Sequence, residues 1–183
     1  MLISALKPDL SRQQAIELLR GAPLLSTLRK LRRGNLERVF DLYIPYITFK
    51  VIVSTHKDER ASIIAIDAVS GRLDPYCFER LPAGNELVRL EPPNLLAPRL
   101  SEDEARLVAT THARRQVYLK GFFRAGDLSI TAEPIEGPTL HIPYWIGIFK
   151  QGEGATIEVV DAVRKRIEGE KLREVVINWL REQ

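Results

Sequence analysis

Two aspartates stand in matching surroundings: Asp67 within Ile66-Asp67-Ala68-Val69, followed by Arg72, and Asp161 within Val160-Asp161-Ala162-Val163, followed by Arg166. Two carboxylates brought to a common axis are the arrangement that general acid–base chemistry uses, one holding a proton and the other taking it. A plainer task competes with that one. An aspartate at a strand end accepts amide hydrogens from its own turn, and Asp67-Ala-Val-Ser-Gly71 has the composition for it. The turn role is the expectation for both.

The other reactive side chains are sparse. Three histidines occur, His56, His112 and His141, and none has a second histidine or carboxylate at a zinc-binding spacing. His56 sits in a polar hairpin tip and His112 on a helix face turned towards a sheet. His141, ahead of Ile142-Pro143-Tyr144-Trp145, is the one in an unusual setting. The single cysteine, Cys77 between Tyr76 and Phe78, admits no intramolecular disulfide and reads as a packed side chain. Nucleophile-elbow, phosphate-loop and dinucleotide motifs are all missing from the sequence. The expectation is no catalytic residue, no cofactor and no metal. One compact basic cluster, Arg29, Lys30, Arg32 and Arg33, has the charge to contact phosphates and makes nucleic-acid binding the alternative function.

The composition that must position these groups is that of an ordinary globular protein. The chain has 183 residues, 45% hydrophobic and 28% charged, with a net charge of +3. That is enough to bury a core without disulfides. No apolar run approaches the roughly 20 residues of a membrane span, and no secretory leader is evident at Met1-Leu-Ile-Ser-Ala-Leu6. A reducing, cytoplasmic setting is expected.

Three landmarks recur in the same order. Ser11-Arg-Gln-Gln14-Ala15 is matched by Ser101-Glu-Asp-Glu104-Ala105, and Ile44-Pro45-Tyr46 by Ile142-Pro143-Tyr144; the aspartate segments are the third pair. Ser-x-x-Gln/Glu is a capping box, so helices are predicted after Ser11 (short, because Gly21 and Pro23 follow) and after Ser101 to about Tyr118. A further helical stretch is expected over Leu24–Arg33. Tyr46–Val53 with Ala61–Ile66, and Tyr144–Phe149 with Ala155–Val160, read as β-hairpins. An additional strand is expected over Leu128–Glu133. Pro45 and Pro143 are expected at a strand start, an edge or a bulge. The proline-rich segment 81–99 reads as a connector with a short strand at Leu87–Leu90. Arg164–Gln183 reads as an amphipathic helix whose Leu172, Val175, Val176, Trp179 and Leu180 dock on the sheet. The fold class is therefore α+β: an antiparallel sheet from two pseudo-repeated helix and β-hairpin units, with a C-terminal amphipathic helix packed on it. Residues 1–183 are expected to form a single compact domain, with 1–80 and 100–183 as its repeat halves.

Gln14-Ala15 with Ile66-Asp67-Ala68-Val69-Ser70-Gly71, and Glu104-Ala105 with Val160-Asp161-Ala162-Val163, resemble the PepSY unit, in which a helix precedes a hairpin ending in Asp-Ala-x-x-Gly. Lys165 stands where the second copy would carry the glycine. The resemblance implies a non-enzymatic role in binding or restraining other proteins. A protein-interaction or assembly module, an accessory subunit of a larger complex, is accordingly the leading expectation. Tyr43, Tyr46, Tyr144 and Trp145, near prolines that would leave a strand edge unpaired, are the residues expected to meet a protein partner or a second copy.

Overall fold

The structure, a computed structural model, describes residues 1–21, 34–54, 58–119 and 128–183. The predicted helix over Leu24–Arg33, its basic cluster and His56 lie outside the described residues. The rest is mixed α and β with mostly antiparallel pairing, and it divides into two compact units drawn from discontinuous segments. The first takes Met1–Ile44, Asn85–Leu96 and His141–Gln183; the second takes Pro45–Gly84 and Ala97–Leu140. Strand β2 (Asn35–Ser54) contributes to both.

In the first unit, β1 (Ile3–Leu6) pairs antiparallel with β5 (Leu87–Leu90), Ile3 opposite Leu90 and Leu6 opposite Leu87. Strand β7 (Leu140–Gln151) neighbours both β1 and β2. It turns through Gly152, at φ +59°, into β8 (Gly154–Asp161), with Tyr144 opposite Asp161. The two-residue β9 (Arg166–Ile167) closes on the end of β8. Helix α1 (Arg12–Arg20) carries the expected capping box: the Gln14 amide donates to Ser11 Oγ at 3.3 Å, and the Ser11 amide to Gln14 Oε1 at 2.9 Å. Its Ala15 and Leu19 pack with Leu10, Val39, Phe149, Val160 and Ala162. Gly147 lets the helix cross closely, since a Cβ there would lie 2.7 Å from Leu19 Cδ1. A second contact of this kind needs no side-chain freedom at all. At Gly34 (φ +85°) an added Cβ would stand 2.1 Å from the Lys150 carbonyl oxygen.

The second unit is built on the later part of β2. Strand β3 (Glu59–Asp67) pairs along one side, from Tyr46 opposite Asp67 to Ser54 opposite Glu59. Strand β6 (Ser129–Pro134) pairs along the other, from Phe49 opposite Pro134 to Ser54 opposite Ser129. Short β4 (Tyr76–Phe78) covers only Ile63–Ala65 of β3. Helix α2 (Glu102–Leu119) begins at the second expected capping box, with the Ser101 amide 2.8 Å from Glu104 Oε2 and the Glu104 amide 3.3 Å from Ser101 Oγ. The hydrogen bonds from Ser101 hold the Glu104 carboxyl below its usual range. Ala105, Ala109 and Ala113 recur every four residues on one face of α2. Small side chains there let the helix settle on Phe49, Val51, Ile64, Ile66 and Ala132.

Three expectations need correcting. Of the three places expected for the prolines, a strand start is not the one taken. Pro45 lies inside the 20-residue β2 and Pro143 inside β7, where their carbonyls accept the Ala68 and Ala162 amides at 2.8 and 3.1 Å. The C-terminal helix, α3 (Glu170–Arg181), starts six residues later than expected. Lys165 at φ +56° ends the aspartate turn, and Arg166–Ile167 extends as β9 before Gly169 opens the helix. Its Leu172 and Val176 are buried, and Trp179 lies 6.3 Å from the ring of Phe40. Finally, each helix packs on the hairpin of the other sequence half: α1 on β8, and α2 on β3.

Candidate binding site

The paired aspartates are fully buried, at 0% exposure each, and both are occupied by their own turns. Asp67 Oδ1 accepts from the amides of Val69 (3.2 Å) and Ser70 (2.6 Å) and from Ser70 Oγ (3.1 Å), while Oδ2 accepts from the Leu73 amide at 3.0 Å. Asp161 Oδ1 accepts from Val163 (2.9 Å) and Arg164 (2.7 Å), with Arg164 Nε 4.0 Å from Oδ2. Each therefore fixes the backbone after a strand. Gly71 and Lys165 occupy the same place after their aspartates, and both are left-handed, at φ +67° and +56°.

Lys165 is the positive-φ residue with a side chain among those described. The left-handed region disfavours a Cβ by roughly 1–2 kcal/mol, and the 3.7 Å ion pair from Lys165 to Asp9 is exposed and worth little. Lys165→Gly is expected to raise the unfolding free energy by about 0.5–1 kcal/mol, part of the relief being offset by greater freedom in the unfolded chain. Urea denaturation of the two proteins checks this.

The aromatic residues expected at a partner surface lie elsewhere. Tyr43, Tyr46 and Tyr144 are buried. The stretch of β2 at Tyr43 is covered, because its amide donates to the Asn94 carbonyl and its carbonyl accepts from Leu96. Burial, and secondarily the charge of Asp41, raise the Tyr43 hydroxyl above its ordinary pKa. Tyr46 meets Tyr76 edge-on at 5.6 Å. Trp145 is half-buried and donates from Nε1 to the Leu10 carbonyl at 2.8 Å, tying β7 to the residue before the α1 cap. These positions serve packing because both strands are buried on both faces here, Leu42 to Tyr46 on β2 and Leu140 to Tyr144 on β7, so even side chains of opposite orientation are covered. His141 is likewise committed: it is buried, and Nδ1 lies 3.2 Å from the Ser4 carbonyl oxygen.

Two surface features of the second unit were not legible as sites. The first is the outer face of α2. Leu107, Thr111, Arg114 and Tyr118, at spacings of four, three and four, are all exposed. Leu107 and Leu119 are 69% and 70% accessible, far beyond what a helix needs for its own packing. The second feature is a cavity of about 470 Å³ between α2 and the β2–β3 hairpin. Its apolar wall includes Val53, Ile64, Ala113 and Val117, and its polar wall includes His112, Gln116 and Cys77. Asp58 and Arg60 also line it, and they pair with each other at 2.6 Å. Cys77 is exposed, not packed as expected, since alternation along β4 buries Tyr76 and sends its neighbour to the opposite face.

Burial, then the charge of Arg115, lower the pKa of His112 below 6.5, with Asp74 pulling the other way. The folded chain thus binds this proton more weakly than the unfolded chain. The resulting contribution is intact above the unfolded value and is lost as pH falls through the folded one. Stability measured by urea between about pH 5 and 7 is expected to drop less steeply on the acid side in His112→Gln than in the parent.

Among the described residues no group of three histidine, cysteine or acidic side chains is placed to hold a metal ion, and no helix is long and apolar enough to cross a membrane. Compared with known proteins, the chain matches no family model, no curated protein and no solved structure.

Proposed function

We propose that this chain is a non-enzymatic protein-interaction module, an accessory subunit that meets its partner through the outer face of α2. The observation that carries this reading is the pair Leu107 and Tyr118, exposed on one helical face about three turns apart, with Leu119 beside them. Large apolar side chains grouped on a solvent face mark interaction surfaces more often than singly scattered ones do. The non-enzymatic part of the reading is supported by the commitment of Asp67, Asp161 and His141 to bonds within the fold. The test is light scattering and cross-linking mass spectrometry on the chain isolated from its native source. A stoichiometric partner, or a second copy, is expected to cross-link to α2, and Leu107→Glu with Tyr118→Glu is expected to release it without lowering the melting temperature. A strict monomer with no cross-linked partner sinks the proposal.

The same reading takes the chain as internally duplicated and related in architecture to the PepSY unit. Its support is a set of equivalent bonds at equivalent positions. The Asp9 and Leu10 amides donate to the Ala162 carbonyl, as those of Arg99 and Leu100 do to Ala68. Ala68 and Ala162 in turn donate to Pro45 and Pro143. Under duplication each half lends its capped helix to the hairpin of the other. Gly71→Lys is expected to destabilise where Lys165→Gly stabilises, since both positions are left-handed and a Cβ at Gly71 also crowds Leu100 and Val108.

A further inference from the structure

The cavity beneath α2 has a physical origin in two shortfalls. Strand β4 stops after covering Ile63–Ala65, so that among the described residues Ala61 and Ser62 are paired with β2 but with no strand on the β4 side. The alanine stripe of α2 ends at Ala113, a side chain too short to fill the space that Phe49 and Ile66 fill deeper in the core. The resulting volume of about 470 Å³ falls within the range of small-molecule sites, about 300–1,000 Å³.

The chemistry of its lining selects an occupant. The walls are chiefly aliphatic, and the uncharged polar groups of the lining are the Ser62 hydroxyl, the Cys77 thiol, the Gln116 amide and the His112 imidazole, whose neutral form is favoured. The two charged groups at its edge, Asp58 and Arg60, neutralise one another. An ionised ligand would surrender its hydration with no unmatched opposite charge to receive it, a heavy penalty. An uncharged one loses little and gains apolar contact.

We propose that this cavity is a binding site for a small, uncharged, mainly apolar molecule, of the size of two or three linked aromatic rings and bearing a single hydrogen-bonding atom. The site is independent of the outer α2 face, so either can fail without the other.

N-phenyl-1-naphthylamine and 8-anilino-1-naphthalenesulfonate test this directly, since they share a skeleton and differ by one sulfonate. Fluorescence titration of the full chain is expected to give one saturable site for the neutral dye, at least about tenfold tighter than for the sulfonate. Cys77, the only cysteine, reports occupancy independently. With neutral dye at about ten times its Kd, alkylation of Cys77 by iodoacetamide is expected to slow about tenfold. Val117→Trp, which fills the cavity from the helix side, is expected to abolish dye binding. Cys77→Trp fills it from an exposed position on β4 and serves if the helix variant does not fold. The proposal is overturned by failure of the neutral dye to saturate, by equal affinity for the sulfonate, by unprotected alkylation, or by undiminished binding in a folded tryptophan variant.

Discussion

Asp67→Ala is expected to lower the unfolding free energy by about 3–4 kcal/mol. The carboxylate is fully buried and accepts three backbone amides, those of Val69, Ser70 and Leu73. Each buried donor left without a partner costs about 1–3 kcal/mol. The Leu73 amide, the most buried of the three, bears the full penalty, while water reaches the half-buried Val69 and Ser70 and softens theirs. Asp161→Ala should also destabilise, by about 2 kcal/mol or more, because the half-buried amides of Val163 and Arg164 depend on it. Asp67→Asn keeps the volume but presents an NH₂ to a shell of donors, so it should fall between parent and alanine. Urea melts of the four proteins decide the order. A loss below about 1 kcal/mol for Asp67→Ala would mean that the turn does not depend on the carboxylate, and would reopen a catalytic use for it.

Gly34→Ala is expected to destabilise by about 3 kcal/mol or more, through two separable effects. The left-handed backbone (φ +85°) accounts for roughly 1–2 kcal/mol. The remainder comes from a methyl placed 2.1 Å from the Lys150 carbonyl oxygen, a backbone atom that can move only by shifting β7, and strain of that kind typically adds about 1–3 kcal/mol. Gly152→Ala is the control. It shares the positive φ, at +59°, but an added Cβ meets nothing within 4 Å. It should lose about 1 kcal/mol. Comparable losses at the two positions would show that the chain near Gly34 relaxes away from β7.

What the sequence made legible was local. Ser11 with Gln14, and Ser101 with Glu104, specify caps that depend on residues three apart, and both form. The aspartate turns are equally short-range and equally readable. Leu87–Leu90 was legible as a strand because prolines bracket it. Partner choice was not legible. Nothing in Ala105, Ala109 and Ala113 says that α2 settles on β3 and not on β8, since both hairpins offer similar β-branched faces. Strand β2 was read as beginning near Tyr46, but Asn35–Ile44 is strand as well; its charges and Gly34-Asn35 hid the pattern, and its neighbours, β7 and the bridge at Leu95, are distant in sequence. The aromatic residues were misplaced for a related reason. A proline next to a tyrosine suggests an open edge, while the structure seals that edge at Tyr43 with Asn94 and Leu96. The cavity left no mark in the sequence because it arises from where two elements stop.

Because the first unit needs both Met1–Ile44 and His141–Gln183, vectorial synthesis imposes an order on its assembly. The segments of the second unit have all been translated once Leu140 leaves the ribosome. Strand β1 can already pair with β5, but helix α1 must wait for Phe149 of β7, Val160 of β8 and Ala162. A nascent chain halted after Leu140 should therefore protect Cys77 and its surroundings from a protease while Arg12–Arg20 is still cut, and release of the segment His141–Gln183 should close that window within the time of loop-limited collapse.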